Sequence, residues 1–378
     1  MMDFKSLDKP LLAFVALAVI SLVLPVGQME QGGVYWFASL PSLALAGLAI
    51  LVSIIRLVTL SENVTMTFLI VIGTFAGAAA VLINITAELD NGVNATGLWL
   101  FVIALGFLSW RAMEMTSALA SANKAMKLLV PTFFGLWVLF LWQVITTGFE
   151  IPSVLLPSPA MIGGAIAGNT DTLAADFYQT FVKSVLSGFA FGCGSGFIVA
   201  ILVDRIPFLQ RGLLPLGSLV SAIPIVGIAP IMVMWFGFDW QSKAAVIVVM
   251  TFFPMLVNTL AGLEATGRLE KDLMRSYAAN YVQTMLFVRL PNALPFIFNA
   301  LKINSTLALI GAIVAEFFGT PIVGMGFRIS TEVGRMNVDV VWATIAVAAL
   351  AGSISYGILA LLERTFTFWH PSYRSSRN

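Results

Sequence analysis

Residues 263–291 read LEATGRLEKDLMRSYAANYVQTMLFVRLP, a charged stretch that separates two apolar ones. The apolar stretches run from 243 to 262 and from 292 to 317. A membrane-spanning helix needs about 20 mostly apolar residues, and both stretches meet that requirement at least approximately. The composition of the charged stretch between them predicts two short amphipathic helices exposed on one side of a membrane.

The rest of the chain has the same apolar character. Of its 378 residues, 59% are hydrophobic and 10% are charged, whereas charged residues make up about 25% of a typical soluble domain. The sequence therefore predicts an all-α, polytopic membrane protein with about ten transmembrane helices. The predicted spans are 11–27, 34–60, 64–87, 97–119, 128–148, 180–203, 212–235, 243–262, 292–317 and 338–362.

The lysines and arginines between these spans predict the orientation, because cytoplasmic segments carry an excess of them. With the N-terminus inside, fifteen basic residues are cytoplasmic: Lys5, Lys9, Arg56, Arg111, Lys124, Lys127, Arg205, Arg211, Arg268, Lys271, Arg275, Arg289, Arg364, Arg374 and Arg377. Four are external: Lys183, Lys243, Arg328 and Arg335. The asymmetry predicts that both termini are cytoplasmic.

Composition and motifs exclude several classes of function. The net charge of +1 gives no basic surface for nucleic acid, so no nucleic-acid partner is expected. The chain has one cysteine and one histidine and neither an HExxH nor a GxSxG pattern, so it offers no catalytic or metal-binding constellation. Since no Gly-Lys dipeptide occurs, the phosphate-binding GxxxxGK loop is absent as well. We expect a non-catalytic protein without its own cofactor.

The charged stretch also carries a specific motif. From Asp272 it reads DLMRSYA, then nine residues, then Val288, Arg289, Leu290 and Pro291. This spacing resembles the coupling loop of binding-protein-dependent ABC importer permeases, whose pattern is Glu-Ala-Ala, three residues, Gly, nine residues, Ile, any residue, Leu-Pro. Here Asp replaces the Glu, and Ala278 replaces the Gly that favours a turn.

Three more segments are similar to the nitrate, sulfonate and taurine branch of that family, which also includes transporters of pyrimidine and riboflavin precursors. They are LLPSPA at 155–160, PIVGIAPIMVMWFGFDWQSK at 224–243 and LIGAIVAEFFGTPIVGMGFRI at 309–329. The resemblance covers about 127–371. It implies a six-helix type I importer core at 126–370 with a coupling loop at 263–291, preceded by a four-helix extension at 1–125 and followed by a cytoplasmic tail at 371–378.

The resemblance implies the membrane-spanning permease subunit of an ATP-driven importer in the bacterial inner membrane. The expected partners are a dimer of separate ATPase subunits that bind the ATP, a periplasmic or lipid-anchored substrate-binding protein, a second permease copy in a homodimer, and membrane lipid. The expected solute is an anion such as nitrate, a sulfonate or taurine, or a small heterocycle. The expected ATPase-coupling residues are Asp272, Arg275, Ser276, Ala278, Asn280, Leu290 and Pro291.

Candidate residues of the translocation path come from irregularities within the spans. Proline breaks a helix, and in lipid such breaks survive where protein or a water-filled cavity satisfies the backbone, which places Ser221, Pro224 and Pro230 near the path. A helix kinked for packing is the alternative. Lys302 and Glu316 are charges within a span and are further candidates, and a snorkelling or structural role for Lys302 is equally compatible with the sequence.

An ion-coupled secondary transporter is the alternative function, since it would also have about ten spans. Such carriers typically show repeated halves and paired ionisable groups in the middle of the membrane. The sequence shows neither feature, which favours the permease interpretation.

Overall fold

A computed structural model describes residues 8–29, 32–59, 63–85, 91–92, 94–122, 127–206, 208–213, 215, 223–319 and 322–369. Helices dominate these residues, so the predicted all-α membrane fold is confirmed. The chain divides into two compact units, Met1–Ile162 and Gly163–Asn378. The domain prediction assigned the helix at 129–148 and the start of the next helix, at 159–162, to the importer core, whereas both lie in the first unit.

The first unit consists mainly of long apolar helices. They are α1 (Lys9–Ser21), α2 (Leu40–Thr59), α3 (Val64–Asn84), α4 (Thr96–Ala122), α5 (Leu129–Gly148) and the start of α6 (Pro159–Gly168). Strands β1 (Gly27–Met29) and β2 (Gly32–Val34) pair antiparallel between α1 and α2, with Gly27 opposite Val34. The fully buried Trp36 packs against Phe101 and donates from its indole Nε1 to the Ser21 carbonyl at 3.1 Å, which satisfies its polar atom inside the core.

The second unit holds the helices around the charged stretch. They are the rest of α6, α7 (Thr170–Arg205), α8 (Ile225–Phe236), α9 (Trp240–Glu264), α10 (Arg268–Ser276), α11 (Tyr281–Glu316), α12 (Met325–Gly334) and α13 (Val338–Phe366). Two helices contain π-helical segments, Tyr178–Val185 in α7 and Met285–Arg289 in α11. Helix α9 packs against both α7 and α11 and forms the centre of this unit.

Small residues allow α7 and α9 to approach closely. A Cβ atom added at Gly196 would lie 2.5 Å from the Phe252 carbonyl oxygen, and one at Gly188 would lie 2.6 Å from Cβ of Ile247. Helices in lipid associate largely through such close backbone packing. The glycines therefore fix the position of α7, whose two ends carry the polar clusters described below.

Eight helices among the described residues are long and apolar enough to span a membrane, namely α2, α3, α4, α5, α7, α9, α11 and α13. The other two predicted spans, 11–27 and 212–235, coincide with the shorter helices α1 and α8, of 13 and 12 residues. At 1.5 Å per residue each is about 20 Å long or less, short of the roughly 30 Å hydrocarbon core. The number of ten spans is therefore approximate.

The charged stretch contains one separate helix rather than two. Helix α10 stands alone, as predicted, but Tyr281–Thr284 continues through the π segment into α11 without a break. The predicted boundary at Pro291 is therefore wrong. Proline lacks an N–H and its ring clashes with the carbonyl four residues earlier, and the wider π turn directly before it is a local adjustment of the kind that accommodates such a residue.

Candidate functional site

Helix α10 is exposed along its whole length. None of its residues is buried, and the side chains of Leu269, Leu273 and Tyr277 are 84%, 57% and 77% exposed. Residues four apart lie on one face of a helix, so these three form an apolar stripe. Asp272 and Arg275 form an exposed ion pair at 3.2 Å. An exposed amphipathic helix with an uncovered apolar stripe is a surface suited to a partner protein.

Ala278 makes the turn that the family pattern assigns to glycine. Its φ is 53°, in the left-handed region. The Ala278 N–H donates to the Arg275 carbonyl at 2.9 Å and the Ala279 N–H to the Met274 carbonyl at 2.9 Å, which together form a Schellman cap. The turn thus keeps the form that favours glycine, at a backbone cost of about 1 kcal/mol for the Cβ.

Asn280 begins the next helix. Its side-chain oxygen accepts from the Gln283 N–H at 2.8 Å, and the Gln283 side chain accepts from the Asn280 N–H at 2.8 Å. This reciprocal capping box satisfies two backbone donors at the start of α11. Ser276, by contrast, donates its hydroxyl to the Leu273 carbonyl at 2.8 Å and remains exposed. The turn from α10 into α11 is therefore defined by local hydrogen bonds.

Both ends of the charged stretch meet at Arg289. Its Nη1 and Nη2 donate to the two carboxylate oxygens of Asp204, at the end of α7, at 2.6 Å each. Nη2 also donates to the Leu263 carbonyl in the last turn of α9 at 3.2 Å. The Tyr281 hydroxyl donates to Asp204 at 3.1 Å. We call Asp204, Leu263, Tyr281 and Arg289 the root cluster.

The sequence did not predict the root cluster. Arg289 was predicted to be a cytoplasmic charge at the open position of the coupling-loop motif, and no role was predicted for Asp204. The available signal was an acidic residue beside Arg205 at the end of a span, since a carboxylate near the membrane requires a partner. Which of the nearby cations pairs with it depends on how α7 and α11 pack.

The described candidates for the path lie on two helices, α8 and α11. Pro224 is the N-cap of α8 and Pro230 lies inside that helix, whereas Ser221 is outside the described residues. Lys302 pairs with Glu363 of α13 at 2.7 Å. Glu316, on the same helix as Lys302, accepts from the Thr180 hydroxyl and from the Gly326 N–H, each at 2.7 Å. The two charges in α11 therefore contact different helices.

Glu316 belongs to a buried polar network that joins α7, α11 and the start of α12. Asp176 of α7 accepts from the Gly324 N–H and from Arg328 Nε, each at 2.8 Å. Thr180 accepts from the Met325 N–H at 2.8 Å. The hydrogen bond to Asp176 raises the pKa of Arg328 above its ordinary value. We call Asp176, Thr180, Glu316 and Arg328 the outer network.

The π segment in α7 contributes Thr180 to this network. It spans Tyr178–Val185, and its residues Gln179, Thr180 and Ser184 are all buried. Gln179 donates to Asp239, the N-cap residue of α9, at 2.7 Å, and this hydrogen bond lowers the pKa of Asp239. Widened turns of this kind occur often at functional sites. Among the described residues, no group of three or more His, Cys, Asp and Glu side chains could hold a metal ion.

The long apolar helices define a polytopic membrane protein. It has an exposed charged helix between two of these helices and polar clusters at both ends of α7. Comparison with known proteins gives the family. The model of the family described as "Binding-protein-dependent transport system inner membrane component" matches residues 192–368, which include the whole charged stretch. With the relatives below, this shows that the chain belongs to that family and is the permease subunit of an ABC importer.

The relatives are transport permeases of several bacteria. The chain is 31% identical to the formylaminopyrimidine transport permease protein ThiX of Halalkalibacterium halodurans, over 65% of this chain and 98% of the relative. It is 30% identical to the riboflavin transport system permease protein RibX of Chloroflexus aurantiacus, over 62% and 88%. It is 27% identical to a putative aliphatic sulfonates transport permease protein, SsuC of Bacillus subtilis, over 62% and 86%.

Proposed function

We propose that residues 263–291 dock a separate ATPase subunit and that α10 forms the principal contact. The observation that carries this proposal is the apolar stripe of Leu269, Leu273 and Tyr277, which nothing in the described chain covers. Asp272, Arg275, Ser276, Ala278 and Asn280 shape the charged side of α10 and the turn after it. Leu290 and Pro291 connect that turn to the membrane-spanning part of α11.

Two copies of the chain form one central path in this proposal, and each copy binds one ATPase subunit. ATP binding closes the ATPase pair and opens the path outward, so that a periplasmic or lipid-anchored binding protein delivers its solute. Hydrolysis then returns the path to the inward-open state. The asymmetry of lysine and arginine supports cytoplasmic termini and an external outer network, and the family supports a bacterial inner membrane.

The solute is a small anion, such as nitrate, a sulfonate or taurine, or a small heterocycle. Lys302 was the candidate for attracting an anion, but its ammonium group is paired with Glu363, and a paired cation attracts an anion less strongly. Ser221, Pro224, Pro230, Lys302 and Glu316 remain candidates for the path. Formylaminopyrimidine, riboflavin, taurine, an aliphatic sulfonate and bicarbonate, the solutes in the relatives' names, form the first panel to test.

The docking proposal is tested by purification from native membranes. We expect an ATPase subunit to co-purify with the wild-type chain. Leu269→Ala with Leu273→Ala should release most of it, because the two substitutions remove two of the three side chains of the apolar stripe. Phe208→Ala is the matched control, since Phe208 is also a highly exposed apolar side chain near a cytoplasmic helix end but lies outside 263–291.

A second pair of variants tests the charges. We expect reversal of both charges, Asp272→Arg with Arg275→Asp, to lower the ATPase stimulation produced by a loaded binding protein. Full stimulation in that variant would contradict a coupling role for the two residues. Purification of the chain without any ATPase, together with solute uptake driven by an ion gradient, would instead favour the ion-coupled carrier.

A further inference from the structure

The root cluster joins three helices at one arginine. Arg289 contacts Asp204 of α7 and the Leu263 carbonyl of α9, and Leu263 and Arg289 stand at the two ends of the charged stretch. We propose that Arg289 is the positioning residue that links this stretch to α7, so that an ATP-driven displacement of α10 becomes a displacement of α7. This inference rests on the proposed docking of the ATPase to residues 263–291.

A link of this kind is needed because α10 itself is not packed into the rest of the protein. Helix α10 buries no residue, and the turn at 277–280 is held by local hydrogen bonds alone. The start of α11 runs through the π segment Met285–Arg289 without a break. A displacement of α10 therefore reaches the neighbouring helices where this stretch is fixed to them, which is at the root cluster.

Arginine is suited to fix that end. Its planar guanidinium makes two parallel hydrogen bonds to one carboxylate, which sets the direction of the contact as well as its distance. The Arg289 and Asp204 side chains are only 14% and 8% exposed, so water and salt screen their attraction weakly. The Tyr281 hydroxyl donates a hydrogen bond to the same Asp204 carboxylate. The Arg205 guanidinium lies 5.1 Å from the centre of the Tyr281 ring, which adds a cation–π contact between α7 and the start of α11.

Helix α7 can carry the displacement to the other side of the membrane. It runs as one helix of 36 residues from Thr170 to Arg205, about 54 Å long at 1.5 Å per residue. Asp204 lies at one end, and Asp176 and Thr180 of the outer network lie at the other. A movement imposed at Asp204 therefore reaches the contacts that hold α7 to α11 and α12. The family pattern leaves position 289 open to any residue, so the resemblance does not assign this role.

The test is hydrogen exchange on the complex of permease and co-purified ATPase in lipid nanodiscs, with and without ATP and vanadate. Two regions are read: the amides of α10, which report docking, and those at 202–206, which report movement at the end of α7. In the wild type we expect the ATPase to protect α10 and ATP with vanadate to change exchange at 202–206. Arg289→Lys should leave α10 protected and reduce the change at 202–206 by roughly fivefold or more, the lower range of typical couplings between sites.

Two further variants separate positioning from stability. Asp204→Asn with Arg289→Gln removes both charges, so no uncompensated charge stays buried. We expect this variant also to lose the change in exchange at 202–206. It tests the positioning role if Arg289→Lys fails to assemble with the ATPase. Gln210→Ala is the matched control. The Gln210 side-chain amide donates a hydrogen bond to Glu264 at the end of α9 at 2.9 Å, but Gln210 is not part of the root cluster. It should respond like the wild type.

The outcomes distinguish the two proposals. A normal response at 202–206 in Arg289→Lys and in the doubly neutral variant would overturn the positioning role while leaving the docking proposal intact. The same loss in Gln210→Ala would also overturn it, because any change at this end of the protein would then have that effect. An ATPase that binds without protecting α10 in the wild type would overturn the docking proposal itself.

Discussion

In the turn after α10, Ala278 stands where the family pattern has glycine, yet it adopts the backbone conformation that favours glycine. Ala278 adopts φ 53°, a conformation in which Cβ crowds the backbone and glycine has no such penalty. The Schellman hydrogen bonds at Ala278 and Ala279 hold the residue there. The spacing of the motif identifies the position in the sequence. The sequence does not show whether alanine changes the turn, because that depends on the hydrogen bonds of the cap.

Ala278→Gly should stabilise the turn. Relief of the left-handed strain is worth about 1 kcal/mol, which corresponds to roughly fivefold slower exchange of the α10 amides that open with the turn. Hydrogen exchange of the purified permease measures this directly. Ala279→Gly is the control: the neighbouring residue has no positive φ, so glycine there should leave exchange unchanged or faster. Equal slowing in both variants would contradict the explanation.

At the scale of helices, the sequence predicted which helices are present better than where each helix begins and ends. Apolar length identified α2, α3, α4, α5, α7, α9, α11 and α13, because burial in lipid leaves a continuous apolar run. The boundary at Pro291 was wrong because a proline ends a helix only when the helix cannot adjust, and the π segment Met285–Arg289 adjusts it. The pairing of Asp204 with Arg289 was equally out of reach, since 85 residues separate them and only the packing of α7, α9 and α11 brings them together.

The packing of α7 on α9 gives a prediction at this scale. Gly196→Ala should lower the thermal unfolding midpoint of the purified permease, because the new Cβ would lie 2.5 Å from the Phe252 carbonyl oxygen and 3.0 Å from the Met255 Cβ. Overpacking of this kind typically costs about 1–3 kcal/mol. Gly194→Ala is the matched control on the same helix, where a Cβ meets nothing within 4 Å. It should leave the midpoint unchanged or raise it, and equal losses would contradict the packing argument.

At the scale of the whole molecule, the chain is longer than the part that matches its relatives. The permease ThiX is matched over 98% of its length by 65% of this chain, so the rest of the chain has no counterpart in that relative. The sequence predicted a boundary near residue 125, whereas the compact units of the structure meet at Ile162. Helix α5 lies between these two positions, and it packs on the preceding helices through the pairs Phe75–Phe133 and Trp99–Phe149.

Two truncations test whether α5 belongs to the importer core or to the N-terminal helices. We expect a variant lacking residues 1–125 to insert, to co-purify with the ATPase and to keep its stimulation by a loaded binding protein, because lipid replaces the apolar contacts of α5 at little cost. A variant lacking residues 1–162 removes α5 as well, and should lose stimulation because the importer core would then lack one of its helices. ATPase assays on both variants in nanodiscs measure the difference. Loss of stimulation in the shorter truncation would make the N-terminal helices part of the transport machinery, and full stimulation in the longer one would remove α5 from the core.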